Sequence, residues 1–390
     1  MTLDESNLKE YRYGFTNTKK RIGINNWRFF FNGVNVISGS EQIFFLEFDM
    51  INPWDSPSEV KLSFKPNPKL TERDLQYALA GTESAKSLKT EGEINPSYCL
   101  VRFGKLGQEP KQLCAYFPVK KVTFNNRPFS IEAGDILFSE SNLKGNIDVS
   151  EDKGTYKLEY LCNQGTAEWD LCYDIAAGYS EGYDEKARWF PCGLTTYLAG
   201  RVSFDGVSYI VNKDNCFGYC DRYWGKTLPE PWFHISSNTL TSEITGTRLF
   251  NSAFAVQGLF DDKISFIGKI ENEEIIFRGE KSKSKFETAW TCVQSPESEN
   301  DELNTLHWSC SFTSKTWIVD IDVYCKLKDL FNRKIELPDG PRKTLELVEG
   351  ISSNGEIKIY KQYGSTIEQV EHAKLDKVVC EFGCREEYEF

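Results

Sequence analysis

"LTTYLAGRVSFDGVSYIVNKDNCFGYCDRYW" runs from Leu194 to Trp224, and its punctuation decides the fold. Asp205-Gly206 separates two runs rich in β-branched and aromatic residues, the signature of a two-residue hairpin. "VSYIV" returns from that turn, "NKDN" turns again, and "CFGYCDRYW" makes a third strand. Alternate residues of a strand point to opposite faces, so Phe217, Tyr219, Asp221 and Tyr223 share one face. Gly218, Cys220, Arg222 and Trp224 share the other. The two prolines of "TLPEPW" then break the strand, and a domain junction is expected at about 228–241.

Outward from this segment the same texture continues. "WRFFFNGVNVISGSEQIFFLEFDMINP" carries two aromatic or β-branched runs around Gly33 and Gly39, a meander. "CLVRFG" and "QLCAYFPVKKVTF" follow, and the second half repeats the pattern in "KISFIGKI", "LHWSCSF", "TWIVDIDVYCKL" and "GEIKIYKQ". Many short strands with turn signals mean barrels or sandwiches, and the absence of a short repeat argues against a propeller or solenoid. The exception is 65–97, a polar stretch with Thr71 as helix cap and Gly81 as stop, read as a short helical insertion. A chain of 390 residues exceeds what one compact core usually serves. The expectation is all-β with two antiparallel domains, 1–235 and 236–390, the first carrying the insertion.

Composition narrows function by exclusion. The net charge is −12 and no basic stripe is visible, so nucleic acid is not an expected partner. No signal peptide or apolar span is read, and a cytoplasmic protein is expected. The twelve cysteines are scattered among apolar neighbours and read as reduced thiols. Cys216 and Cys220, like Cys380 and Cys384, are four residues apart, roughly 13 Å along a strand, too far to share one zinc. With three histidines there is no helical metal-binding pair, so no metal is expected. Neither a Gly-rich phosphate loop nor a GxSxG elbow occurs, which argues against kinases and the common hydrolases.

The segment from Gly193 to Asn238 resembles the tocopherol cyclase-like family. The elements that carry the likeness are Phe190-Pro191, Gly200, Asp205-Gly206, Gly218-Tyr219, Asp221, Trp224-Gly225, Pro229 and Trp232. "FSIEAGDILFSESNLKGNID", "NNWRFFF" and "EGISSNGEIKIY" are similar to the family's flanking strands. The chain departs from the pattern at Asn26-Trp27-Arg28, at Phe233-His234-Ile235-Ser236 and in the 65–97 insertion. The resemblance implies two lipocalin-like β-barrel domains with a cleft for a hydrophobic ligand. It also implies cyclisation, hydration or rearrangement of a prenylated or polyene substrate without a redox cofactor.

Such a cyclisation needs an acid protonated near neutral pH, aromatic faces for a transient cation, and exclusion of water. Asp221 among Phe217, Tyr219 and Tyr223 meets that need if this face is the barrel lumen, because burial raises a carboxyl pKa. Trp224 and Trp232 are candidates to line the cavity, and His234 to orient the phenol or act as its base. Tyr183, Trp189 and Arg201 are further candidates from the preceding loop and strand. The competing reading of Asp221 is a structural ion pair with Arg222. Two other functions stay open: a non-catalytic carrier of a hydrophobic molecule, and a carbohydrate protein. The latter would need two carboxylates about 5–9.5 Å apart, for which Asp170, Asp174, Asp184 and Glu185 are the nearby acids.

Overall fold

The computed structural model describes residues 23–63, 95–126, 128–149, 162–179, 187–215, 217–258, 264–279, 285–296, 300, 304–340 and 343–387. The helical insertion expected over 65–97 lies outside them except for 95–97, where Ser97 bridges to Lys61. The described chain is strand almost throughout, with helical structure confined to short 3-10 turns such as Pro53–Asp55. No helix among the described residues is long and apolar enough to cross a membrane.

The first part contributes β1 (Ile24–Asn35), β2 (Glu41–Ile51), β3 (Tyr98–Leu106), β4 (Lys111–Phe117), β5 (Val122–Asn126), β6 (Phe129–Ala133) and β7 (Ile136–Ser139). It continues with β8 (Asn142–Asp148), β9 (Thr166–Ala177), β10 (Ala187–Gly193), β11 (Thr195–Phe204), β12 (Val207–Val211) and β13 (Tyr219–Gly225). These make one 13-stranded antiparallel sheet, ordered β4-β3-β2-β1-β12-β11-β9-β8-β7-β6-β5, that rolls into a nearly closed barrel. The expected hairpin is there, with Phe204 opposite Val207. Its turn residues Asp205 and Gly206 have φ of 50° and 78°, as a primed two-residue turn requires.

The third strand of that segment does not extend the meander. β12 pairs with the end of β1 at Val34 and Asn35, whereas β13 pairs with its first half, Ile24 to Phe30. The junction between them is sealed by the Asn32 side chain, whose Oδ1 accepts from the Phe217 backbone N–H at 2.7 Å. On its other edge β13 holds β10.

The remaining strands are β14 (Trp232–Ser237), β15 (Leu240–Ser242), β16 (Ala253–Gly258), β17 (Ile264–Ile270), β18 (Glu273–Phe277), β19 (Glu287–Gln294) and β20 (Thr305–Thr313). β21 (Trp317–Lys326), β22 (Phe331–Glu336), β23 (Lys343–Ser352), β24 (Gly355–Tyr363), β25 (Thr366–Leu375) and β26 (Val378–Glu387) complete them. They form a seven-stranded sheet, β18-β17-β16-β14-β26-β23-β22, and a six-stranded sheet, β15-β25-β24-β21-β20-β19. A second core lies between these two, built on Phe233, Phe254, Phe266, Phe312 and Ile359.

Period-two alternation then sorts each central strand into two buried faces. Trp27, Phe29 and Phe31 of β1 fill the first barrel. Rings cross its interior: Trp27 meets Phe138 of β7 edge-on at 5.7 Å, and Phe103 of β3 stacks on Trp169 of β9 at 4.9 Å. Phe30 of the same β1 points out of the barrel, with Phe45, Leu100, Tyr219 and Tyr223, into a third core shared with Trp232, Ala255, Leu347 and Val379 of the seven-stranded sheet. The outer faces of the two β units are therefore packed against each other, and β13, β14 and β16 are buried on both sides. We call this shared layer the seam.

Gly218 marks how tightly the barrel closes beside β13. A Cβ there would sit 1.7 Å from the Thr196 carbonyl oxygen, the backbone of β11. Gly218→Ala is expected to destabilise the fold by about 1–3 kcal/mol, the cost of overpacking, read as a lowered urea midpoint at unchanged m-value.

Candidate functional site

The seam is apolar at its margins and ionic along its centre. Across the first sheet one ladder row reads Asp221 (β13), Arg28 (β1), Glu47 (β2), Arg102 (β3), with charge alternating at every strand. The facing row of the seven-stranded sheet reads Gln257 (β16), His234 (β14), Glu381 (β26), Glu349 (β23). All eight side chains are buried. They are aligned because each sits on the outward-alternating face of its strand, so register alone assembles the cluster.

Arg28 joins the two rows. Its Nε and Nη2 donate to the two Asp221 oxygens at 2.8 and 2.7 Å, and its Nη1 donates to both Glu381 oxygens at 2.7 Å. The guanidinium lies 5.0 Å from the Tyr223 and Trp232 ring centroids and 5.4 Å from that of Phe30. Burial opposes its charge, but Asp221 and Glu381 outweigh this and hold it protonated. A second link comes from Arg333 of β22, which donates to Glu47 of the first sheet and Glu349 of its own. Tyr223 donates across the seam to Gln257.

Asp221 is fully occupied as an acceptor. Besides Arg28, Trp189 Nε1 donates to Oδ2 at 3.1 Å and the Tyr219 hydroxyl at 2.9 Å. His234 is held at both ring nitrogens, Nδ1 3.2 Å from Gln257 Oε1 and Nε2 3.1 Å from Ser236 Oγ. Burial lowers its pKa, so the imidazole is neutral at physiological pH. Burial likewise pushes the Tyr219 and Tyr223 phenols well up, keeping them as donors. Trp232 Nε1 donates to Glu381 at 2.6 Å.

The structure thus brings together Asp221, Tyr219, Tyr223, Trp189, Trp232 and His234, with Phe217 in the same core. Three corrections follow. The Asp221 face is not the barrel lumen but its outer face, because β13 turns Cys220 and Trp224 inward instead. Trp224 is accordingly across the sheet from Asp221, packed on Phe190 at 4.4 Å. Asp221 pairs with Arg28 and not with Arg222, which shares the inward face and lies 4.6 and 4.8 Å from the Trp27 and Trp224 ring centroids. Arg201 is exposed on β11. Tyr183 lies outside the described residues, as do Cys216, Asp184 and Glu185. Asp170 is exposed and paired with Lys144 at 2.9 Å.

Sequence reading missed Arg28, Glu47, Asp49, Arg102, Arg333, Glu349 and Glu381. For Arg28, Glu47, Asp49, Arg102 and Glu381 the signal is charges inside apolar strand runs, "WRFFF", "FFLEFDMI", "CLVRF" and "VVCEF"; Arg333 and Glu349 lie among other charges and carry no such signal. A charge that shares a two-sided buried strand has to be paired, and the partners sit on neighbouring strands.

No family model matches the chain, and no curated protein does. Among solved structures it is similar to CghA with Sch210972, at 9% identity and a TM-score of 0.46 over 93% of this chain and 89% of that one. Kievitone hydratase from Nectria haematococca gives 13% and 0.44 over 95% and 93%. A structure assigned as ATTH from Nitrosomonas europaea gives 9% and 0.42 over 92% and 92%.

Two outcomes are expected from the ion pairs themselves. Arg28→Ala leaves Asp221 and Glu381 without their shared counter-charge and is expected to lower unfolding free energy by about 3–5 kcal/mol in urea titrations. Arg333 and Arg102 overcome the desolvation of Glu47 and pull its pKa from 4.5 down to about 2. Its contribution to stability is present above 4.5 and is lost as pH falls towards 2. Glu47→Gln should therefore flatten the stability–pH curve across that acid window.

Proposed function

We propose that the protein takes up a lipophilic prenylated or polyene molecule between its first sheet, β1 to β13, and the seven-stranded sheet that begins with β14. There it cyclises or isomerises that molecule by acid–base catalysis without a cofactor, as the tocopherol cyclase-like proteins its central segment resembles would do. The observation that carries this reading is the seam: titratable groups buried beneath aromatic rings, away from water. Proton transfer to an alkene needs a dry site, since water would quench the cation. The ring faces of Tyr223, Trp232 and Phe30 already accommodate one cation, Arg28, and a carbocation makes the same electrostatic demand. Rings that cross the first barrel favour the seam over the lumen as the ligand's place.

In this reading Asp221 fixes the Tyr219 hydroxyl and the Trp189 indole at the site's edge. Neutral His234 orients a phenol or accepts its proton. Phe217, Tyr219, Tyr223, Trp189 and Trp232 supply the lining.

A second reading, a non-catalytic carrier, is favoured by one observation: every donor around Asp221 is already spent on it. A farnesylated hydroquinone separates the two. Incubation with the purified protein should yield an isomer of unchanged mass and shifted retention by liquid chromatography–mass spectrometry. Asp221→Asn should reduce that turnover at least about 100-fold with probe binding retained. Binding without any isomer supports the carrier, and loss of folding in the variant assigns Asp221 a structural role.

A further inference from the structure

Five buried carboxyl groups, Glu47, Asp49, Asp221, Glu349 and Glu381, are tied to three buried guanidiniums, Arg28, Arg102 and Arg333. Carboxyls outnumber guanidiniums even before Glu336, which is also buried and takes bonds from Ser63 and Tyr98, and a dry layer does not tolerate uncompensated charge. The hydrogen bonds show where the excess falls. Arg333 gives two bonds to Glu47 and one to Glu349. Asp49 is bonded by both Arg102 and Asn26, although burial and the charge of Glu47 raise its pKa as well. Glu349 takes Arg333 on Oε2 alone, and its Oε1, fully buried, has no hydrogen-bond partner among the described residues. Arg333 Nε is likewise without one.

From this geometry we infer that Glu349, and not Asp221, is the proton donor of the seam, its Oε1–H directed at the alkene of a bound polyene or prenyl chain. This rests on the function proposed above. The groups facing Glu349 are Arg333 from β22, Glu381 from β26 and Glu47 from β2, with Arg28 of β1 behind Glu381. Burial raises the Glu349 pKa most; Arg333 opposes this, and the negative charges of Glu381 and Glu47 add to it, bringing it to about 7. Glu47, sharing the same arginine, is held at about 2. Two carboxyls pushed apart in this way divide the roles of acid and counter-ion between them.

The step balances without a co-reactant. The Glu349 O–H bond breaks as a C–H bond forms at one alkene carbon, and the electron pair stays on the carboxylate beside Arg333. The substrate's own hydroxyl oxygen adds to the tertiary cation, and its proton returns to Glu349. Substrate and product are isomers.

The test has two parts, both on the full chain. In protein labelled with carboxyl-13C glutamate, one resonance should titrate near pH 7 and be absent in Glu349→Gln. In deuterated buffer, the farnesylated hydroquinone should gain one deuterium on cyclisation, and Glu349→Gln should slow this at least about 100-fold. Glu349→Asp should recover part of the rate with its alkaline limb displaced from the wild type's fall through about 7. A purely structural Glu349 would not move that limb. If no near-neutral resonance disappears in the variant, the assignment is overturned whatever the turnover. If Glu349→Gln turns the probe over at the wild-type rate, the assignment is overturned while the proposed function stands. If the resonance behaves as expected but the wild type cyclises nothing, the proposed function fails and takes the donor role with it.

Discussion

Everything in the seam is arranged around one guanidinium. Arg28 is presented by a strand whose two neighbours place Asp221 and Glu47 directly opposite it. Its remaining nitrogen reaches across to Glu381 of another sheet. A guanidinium is the side chain suited to this, since its rigid fork engages two carboxylates at once and stays charged when buried. The consequence is geometric. Across the seam the Arg28 fork meets Glu381 and the Arg333 fork meets Glu47, contacts that fit one register of the first sheet on the seven-stranded sheet. Purely apolar faces would slide. A buried ionic network is weak as a source of stability, and its attested use is this kind of specification.

The fold was legible in the sequence, and the orientation of the site was not. Asp205-Gly206 announced its hairpin because only a few residue pairs accept left-handed φ at both turn positions. The period-two reading of "GYCDRYW" correctly grouped Tyr219, Asp221 and Tyr223. What period two cannot supply is which of two faces looks into the barrel. In a strand with solvent on one side, polarity answers that question. In β13 both faces are buried and each carries one charge, so polarity does not say which looks into the barrel. The same two-sidedness hid Glu47 and Asp49, which looked like interruptions of an apolar run. They are the seam's half of a strand whose other half, Phe44, Leu46, Phe48 and Met50, fills the barrel. Pairing is equally non-local: Arg28 and Glu381 are 353 residues apart, and nothing near either names the other.

The sequence pointed to Asp221 as the acid, and the donor proposed from the structure is Glu349. A carboxyl among aromatics is an acid only if nothing stabilises its anion. Two guanidinium bonds, an indole and a phenol converge on Asp221, whereas Glu349 has one bond and a bare oxygen. Surrounding aromatics are common to both sites and do not discriminate. The discriminating quantity is how many donors converge on each carboxyl, which depends on ladder neighbours from distant parts of the chain.

The filled barrel completes the reasoning about where a ligand belongs. A lipocalin-type lumen holds a ligand when its inward side chains leave space, and here Phe138 alone is met by Trp27, Phe29, Phe48 and Phe129. Such an interior stabilises the barrel, and the ionic cluster lies on its outer wall. That wall is flattened against a second sheet, water is excluded from both sides, and the polar groups trapped there interact at low dielectric. Under those conditions a small imbalance between acids and bases is not screened away. Glu349, on which the fewest donors converge, is the carboxyl whose pKa burial raises to about 7.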